Sequence, residues 1–67
     1  MTIPYERTRA VLQTRELLEK LATGAPIDPD SLRRQAQALL RHFPEPFHID
    51  LSAAAVPTIW AASDAKW

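Results

Sequence analysis

Residues 5–24 read YERTRAVLQTRELLEKLATG, and the fold turns on whether this stretch is one helix. At about 100° per residue, Ile3, Ala10, Val11, Leu17, Leu18, Leu21 and Ala22 gather on one side, which is the pattern of an amphipathic helix. Glu6, Arg9, Gln13, Glu16 and Lys20 gather on the other. Pro4 suits the first helical position, and Gly24 suits the left-handed residue just past a helix end. A helix over about 4–23 is expected. Glu16 and Lys20 stand four apart in the favourable order, a contribution of a few tenths of a kcal/mol. Tyr5 and Leu12 form a third strip beside the polar face, as they would on a helix that touches more than one neighbour.

One residue disturbs this pattern. Arg7 sits in the middle of the apolar stripe, and an unpaired buried charge is costly. Three readings compete. The stem packs while the guanidinium reaches water. Alternatively, the guanidinium clamps a carboxylate, from Asp50 or Glu6, or a carbonyl of another segment. In the third, it receives a phosphate or an acidic partner. Arg7 tying the first helix to the C-terminal segment is the favoured expectation, with Thr14 on the same face sharing the network.

Further along, APIDPD (25–30) joins the first helix to a second. Asp28 can cap the free backbone N–H groups, Pro29 can open the helix, and Asp30 complements the positive end of the helix dipole. Ile27 is placed to pack on Leu32 as a hydrophobic staple. The helix is expected over about 29–42. It stops where Pro44 disfavours a helical Phe43, with Arg41 and His42 suited to its negative end. Leu32, Ala36, Leu39, Leu40 and Phe43 make its apolar face, and Arg34, Gln37 and Arg41 face water. PEPF (44–47) reads as an extended corner. A short third helix over about 51–56, capped by Asp50 and halted by Pro57, is followed by a tail over 57–67. Pro57 can open a last turn carrying Ile59 and Trp60. The end frays unless Trp67 docks. The expected fold is all-α: one small domain over 1–67, an antiparallel helical hairpin plus a short third helix and a proline-bent C-terminal tail.

The words MTIPYERTRAVLQTRELLEKL (1–21), LRRQAQALLRHFP (32–44) and IDLSAAAVP (49–57) resemble a family of small bacterial proteins. Its pattern is M-T-x-P-x-E-R-T-R-A-[LV]-[LV]-Q-T-R-E-[FL]-L, then L-L-R-H-[YF]-P, then a D-[LI]-x-L-A-A-like segment. The resemblance runs to about Pro57, and the sequence departs only mildly at Leu17, where the family favours Phe. The family has no established activity. The resemblance therefore implies a three-part helical layout and brings no catalytic residues with it.

Composition narrows the function classes. Eight Lys plus Arg balance eight Asp plus Glu, so no whole-molecule field draws the protein to nucleic acid or membrane. The absence of cysteine excludes disulfides and thiolate zinc sites. A chain near 60 residues buries only about 60% of its unfolded surface, so it often needs a partner as a staple. No apolar run reaches the roughly 18 residues of a membrane span, and Glu6 and Arg7 break any signal core. A cytoplasmic protein is expected. A single glycine cannot build a phosphate loop. Ser31, Ser52, His42 and His48 lie in no nucleophile-activating turn, and two imidazoles rarely hold zinc alone. Neither a catalytic residue nor a metal or cofactor site is expected. His42 reads as a dipole-complementing residue and His48 as a surface one.

What remains is apolar surplus. Tyr5, Leu12, Phe47, Ile59 and Trp60, with Trp67, are more large groups than two helices easily cover, and aromatic residues are enriched where surfaces pair. The expected function is a non-enzymatic interaction or regulatory module, acting as a homodimer or on a partner protein. Arg7, Arg34 and Arg41 would orient it. The alternative is a small nucleic-acid binder using the second-helix arginines, Arg33, Arg34 and Arg41, since that helix carries no acid after its first turn.

Overall fold

A computed structural model of the chain describes residues 2–64. Met1 and residues 65–67 lie outside the described residues, and so does the question of where Trp67 docks. The described residues form three helices and no strand: α1 (Pro4–Ala22), α2 (Pro29–His42) and α3 (Pro46–Ala55). The chain is all-α. Each helix opens on a proline, whose missing N–H falls where no intrahelical acceptor exists and whose fixed φ suits the first turn.

The ends of α1 and α2 follow local chemistry. The Ile3 N–H donates to Glu6 Oε1 at 3.1 Å, which satisfies a backbone donor at the helix entrance. At the far end Gly24 has φ +76°. The Gly24 N–H donates to the Leu21 carbonyl at 3.2 Å and the Ala25 N–H to the Lys20 carbonyl at 3.1 Å, the paired bonds of a Schellman stop. In α2, Asp28 Oδ2 accepts from the Ser31 N–H at 3.0 Å. Phe43 leaves the helix at φ −66°, ψ 141°, the extended conformation that a following proline imposes.

The third helix departs from expectation. It begins at Pro46 rather than near Leu51, so PEPF is only half a corner. The reason is a cap that the sequence reading misses. Glu45 enters extended, and its N–H donates to His48 Nδ1 at 2.9 Å, two places after Pro46. His48 is therefore a capping residue of α3, not a bystander on the surface. Asp50, expected as the cap, lies inside the helix. Its carboxylate instead holds the tail: Oδ1 accepts from the Ser63 N–H at 2.7 Å and Oδ2 from the Ser63 hydroxyl at 3.2 Å. Between them the chain turns at residues 57–59, where the Ile59 and Trp60 N–H groups both donate to the Val56 carbonyl at 3.0 and 3.1 Å.

Packing is thin. Among the described residues α1 and α2 are the pair of helices in close backbone contact. The first half of α1, at Glu6, Ala10 and Gln13, meets the end of α2, at Ala38, Leu39 and His42. That is how an antiparallel pair meets at one end. On the other flank of α1, Pro4, Thr8 and Val11 face Pro44, Ile49 and Ser52 across a cleft. At 100° per residue those two flanks are roughly 160° apart, so α1 lies between its neighbours in one layer. The molecule measures 39 × 29 × 17 Å. Its thinnest dimension is about one and a half times the 10–12 Å width of a single helix with side chains, short of two stacked helix layers. The radius of gyration is 14.0 Å, against about 11 Å for a compact chain of this length.

The core is correspondingly small. Ala10 and Ala53 are the buried residues among those described, and no large side chain is fully buried. Leu17, Leu32, Ala36 and Leu39 are half-buried, as the helix faces predict. Leu18, Leu21 and Val11 on α1, and Leu40 and Phe43 on α2, are exposed, against the expectation that they face a core. A single layer gives each helix a neighbour along one line only, while these apolar arcs are wider than a line.

Gly24 offers a test of the local account. A Cβ there meets nothing within 4 Å, so Gly24→Ala carries only the conformational cost of the positive φ. That cost is about 1–2 kcal/mol. Thermal melting followed by circular dichroism should show a loss of this size for Gly24→Ala and a smaller one for Gly24→Asn, which tolerates the left-handed region better.

Candidate interaction surface

Two open clefts flank the start of α1, and Arg7 lines both. The first, of about 340 Å³, lies between α1 and the α3–tail side, with Val11, Leu12, Ile49 and Trp60 as its apolar walls. The second, of about 450 Å³, lies where the end of α2 passes into α3. Leu40, Phe43 and Phe47 line it, with Arg41 and Glu45 beside them.

Arg7 occupies the ridge between these clefts. It is half-buried, and its Nη1 donates to the Thr2 carbonyl at 2.8 Å, on the residue preceding the helix entrance. It reaches neither of the carboxylates expected for it. Asp50 is engaged with Ser63, and Glu6 accepts from Ile3 and stands 3.7 Å from His42 Nε2. Thr14 is not part of an arginine network either, since its hydroxyl donates to the Ala10 carbonyl at 2.7 Å in its own helix. The stripe tolerates a permanent charge for two reasons. A carbonyl outside the helix is within reach, and the remaining guanidinium nitrogens stay open to solvent rather than buried without a partner.

The other site residues divide. Tyr5, Leu12, Phe47, Ile59 and Trp60 are all exposed. Leu12 and Trp60 share the first cleft and Phe47 lines the second, while Tyr5 and Ile59 line neither. Tyr5 lies under the Arg9 guanidinium, 6.0 Å from its carbon to the ring centroid, the outer limit of a cation–π contact. Phe47 lies against the His48 ring with centroids 4.0 Å apart. Arg41 borders the second cleft. Arg34 stands away from both and donates from Nη2 to the Ser31 hydroxyl at 3.3 Å.

Sequence reasoning missed the strongest members of this surface. Leu40 is 72% exposed and Leu51 66%. The apolar face of α2 includes both Leu39 and Leu40, and pattern alone does not say which of two adjacent leucines meets the neighbour. A third helix that starts near Leu51 gives that residue no partner on its strip. Once that helix begins at Pro46, Phe47 and Leu51 fall four apart on one strip, and PFHIDLSAAA carries a single charged side chain, Asp50.

His42 Nδ1 is buried without a hydrogen-bond partner, although its other nitrogen faces Glu6. Among the described residues no cluster of metal-ligating side chains occurs, and no helix is long and apolar enough to cross a membrane. No known protein family, curated protein or solved structure matches the chain, so its function is read from its own residues.

The Asp50–Ser63 contact returns the tail to α3 three residues after Trp60, whose own N–H donates to the Val56 carbonyl. Asp50→Ala in a Trp67→Phe background removes the two hydrogen bonds that return the tail to α3. The fluorescence of Trp60 should shift to longer wavelength and become more accessible to acrylamide. Because the contact is exposed, the stability loss should be about 1 kcal/mol or less.

Proposed function

We propose that this chain is a non-enzymatic interaction module whose uncovered apolar surface is met by another protein chain, either a second copy or a partner. A single observation carries this reading. The buried residues among those described are two alanines, while thirteen large apolar side chains stand at least 38% exposed. Scattered exposed leucines are ordinary on a protein surface, but apolar groups gathered along clefts are the mark of surfaces that meet something. The energetic side agrees. Full burial of a Leu or Phe side chain contributes about 1.5–3 kcal/mol, and native domains are stable by only about 5–15 kcal/mol. Several such groups left in water are a large share of what this chain needs. In this reading Arg7 and Arg41, each beside a cleft, orient the incoming chain.

A second reading has its own observation. Arg34 and Arg41 stand seven residues apart on one strip of α2, both exposed, and neither pairs with an acid among the described residues. Two phosphates fit such a strip. Duplex DNA binding would then fall with salt at a slope of about −2 in logarithmic units. Fluorescence anisotropy with a random duplex measures this, and a flat or absent response removes the reading.

The interaction reading is tested on purified protein across a wide concentration range. At low micromolar concentration the chain should bind an apolar dye such as ANS, and the dye should be displaced as the surface becomes covered. Cooperative melting at a temperature independent of concentration, with no dye binding at any concentration, would refute the module reading altogether.

A further inference from the structure

We infer that the occupant of the second cleft is another copy of this chain, docked through the ridge formed by Leu40, Phe43, Phe47 and Leu51. This deepens the interaction reading and rests on it. Four observations favour a second copy over a different partner.

The first is area. The chain exposes 5814 Å², about 1,500 Å² more than the roughly 4,300 Å² of a compact monomer of 7.6 kDa. A standard interface removes about 800 Å² from each partner, so one such contact accounts for about half of the excess.

The second is need. With two alanines as its buried core, the chain lacks the burial that steadies a small domain alone, and it has neither disulfides nor a metal cluster among the described residues to substitute. The covering molecule must then be present wherever the chain folds. Its own twin is the molecule that meets that condition.

The third is position. Leu40 lies in the last turn of α2, Phe43 follows its end, Phe47 lies in the first turn of α3, and Leu51 follows one turn later on the same strip as Phe47. Leu40, Phe43 and Phe47 line one cleft at the junction between the helices, and Leu51 extends the Phe47 strip beside it. Leu40, Phe47 and Leu51 are each more than half exposed.

The fourth is charge. Arg41 and Glu45 flank this cleft, both exposed and neither in an ion pair among the described residues. A two-fold interface sets a surface against itself, so residue i of one copy meets residue j of the other and the reverse. Arg7 lines the same cleft, so its edge carries two cations and one anion, and a surface of both signs can set Arg41 of one copy against Glu45 of the other. A patch built for a basic or acidic partner would carry one sign.

Sedimentation equilibrium of the full chain from nanomolar to high micromolar concentration tests this directly. A monomer–dimer equilibrium is expected. Leu40→Glu or Leu51→Glu, at exposed positions, should raise the dissociation constant about 30-fold or more. Leu18→Glu, on α1 and equally exposed but outside the ridge, should change it little. Arg41→Glu should weaken the dimer and Glu45→Lys should weaken it too. The double variant should recover most of the affinity, a rescue that loss of folding cannot produce. Dimers indifferent to the ridge variants would overturn this face while leaving the interaction reading intact. A folded monomer at all concentrations would overturn self-pairing, and dye binding by that monomer would show that the module reading survives without it. A monomer whose ridge is protected from hydrogen exchange only by a different protein would likewise overturn self-pairing.

Discussion

In this chain α1 is flanked by its neighbours rather than covered by them, and most of the molecule's character follows from that arrangement. α2 meets α1 along the Glu6–Gln13 side, and α3 faces the Pro4–Val11 side across an open cleft. A helix with neighbours on two nearly opposite sides can bury small residues between them, and Ala10 is where α1 does so. The cover does not extend along the whole stripe: Leu17 is half-buried, while Leu18, Leu21 and Val11 remain exposed. The thinness of the molecule, the size of its surface and the exposure of its leucines are consequences of one geometric fact.

The local chemistry is by contrast well satisfied. Every helix start has a proline and a nearby acceptor or donor in place: Glu6 for α1, Asp28 for α2 and His48 for α3. Such contacts fix where a helix begins but contribute only about 1 kcal/mol each. They define the elements without assembling them. Assembly depends on apolar burial, which scales with covered area. The chain is thus sharply specified at the level of helices and sparsely held together between them.

Arg7 and Asp50 illustrate how charged groups behave under these conditions. Both invite pairing with each other when read from the sequence, since one lies in an apolar stripe and the other lies beyond the corner. Each finds a nearer partner instead. Arg7 takes the Thr2 carbonyl, and Asp50 takes the backbone and hydroxyl of Ser63. Nothing forces the longer-range pair, because in a single layer the guanidinium keeps its access to water. The tail is consequently tied to α3, and Trp60 is brought to the cleft by a carboxylate that no helix cap requires.

Elements whose signals are local can be read directly from the residue order. The 3.6-residue period, Gly24, and the Asp28–Pro29 and Phe43–Pro44 pairs set α1 and α2 to within a residue, since these signals act over one turn of chain. Of the large apolar groups the sequence marks as surplus, the five that lie among the described residues are all exposed. The start of α3 emerges in the fold, because it depends on an imidazole serving as a capping acceptor, a role that composition does not announce. The fold also selects which of two adjacent leucines is covered and brings Leu40 to the same cleft as Phe47. A periodic pattern says which side of a helix prefers to leave water. It does not say how many neighbours arrive to cover that side, and here there are too few.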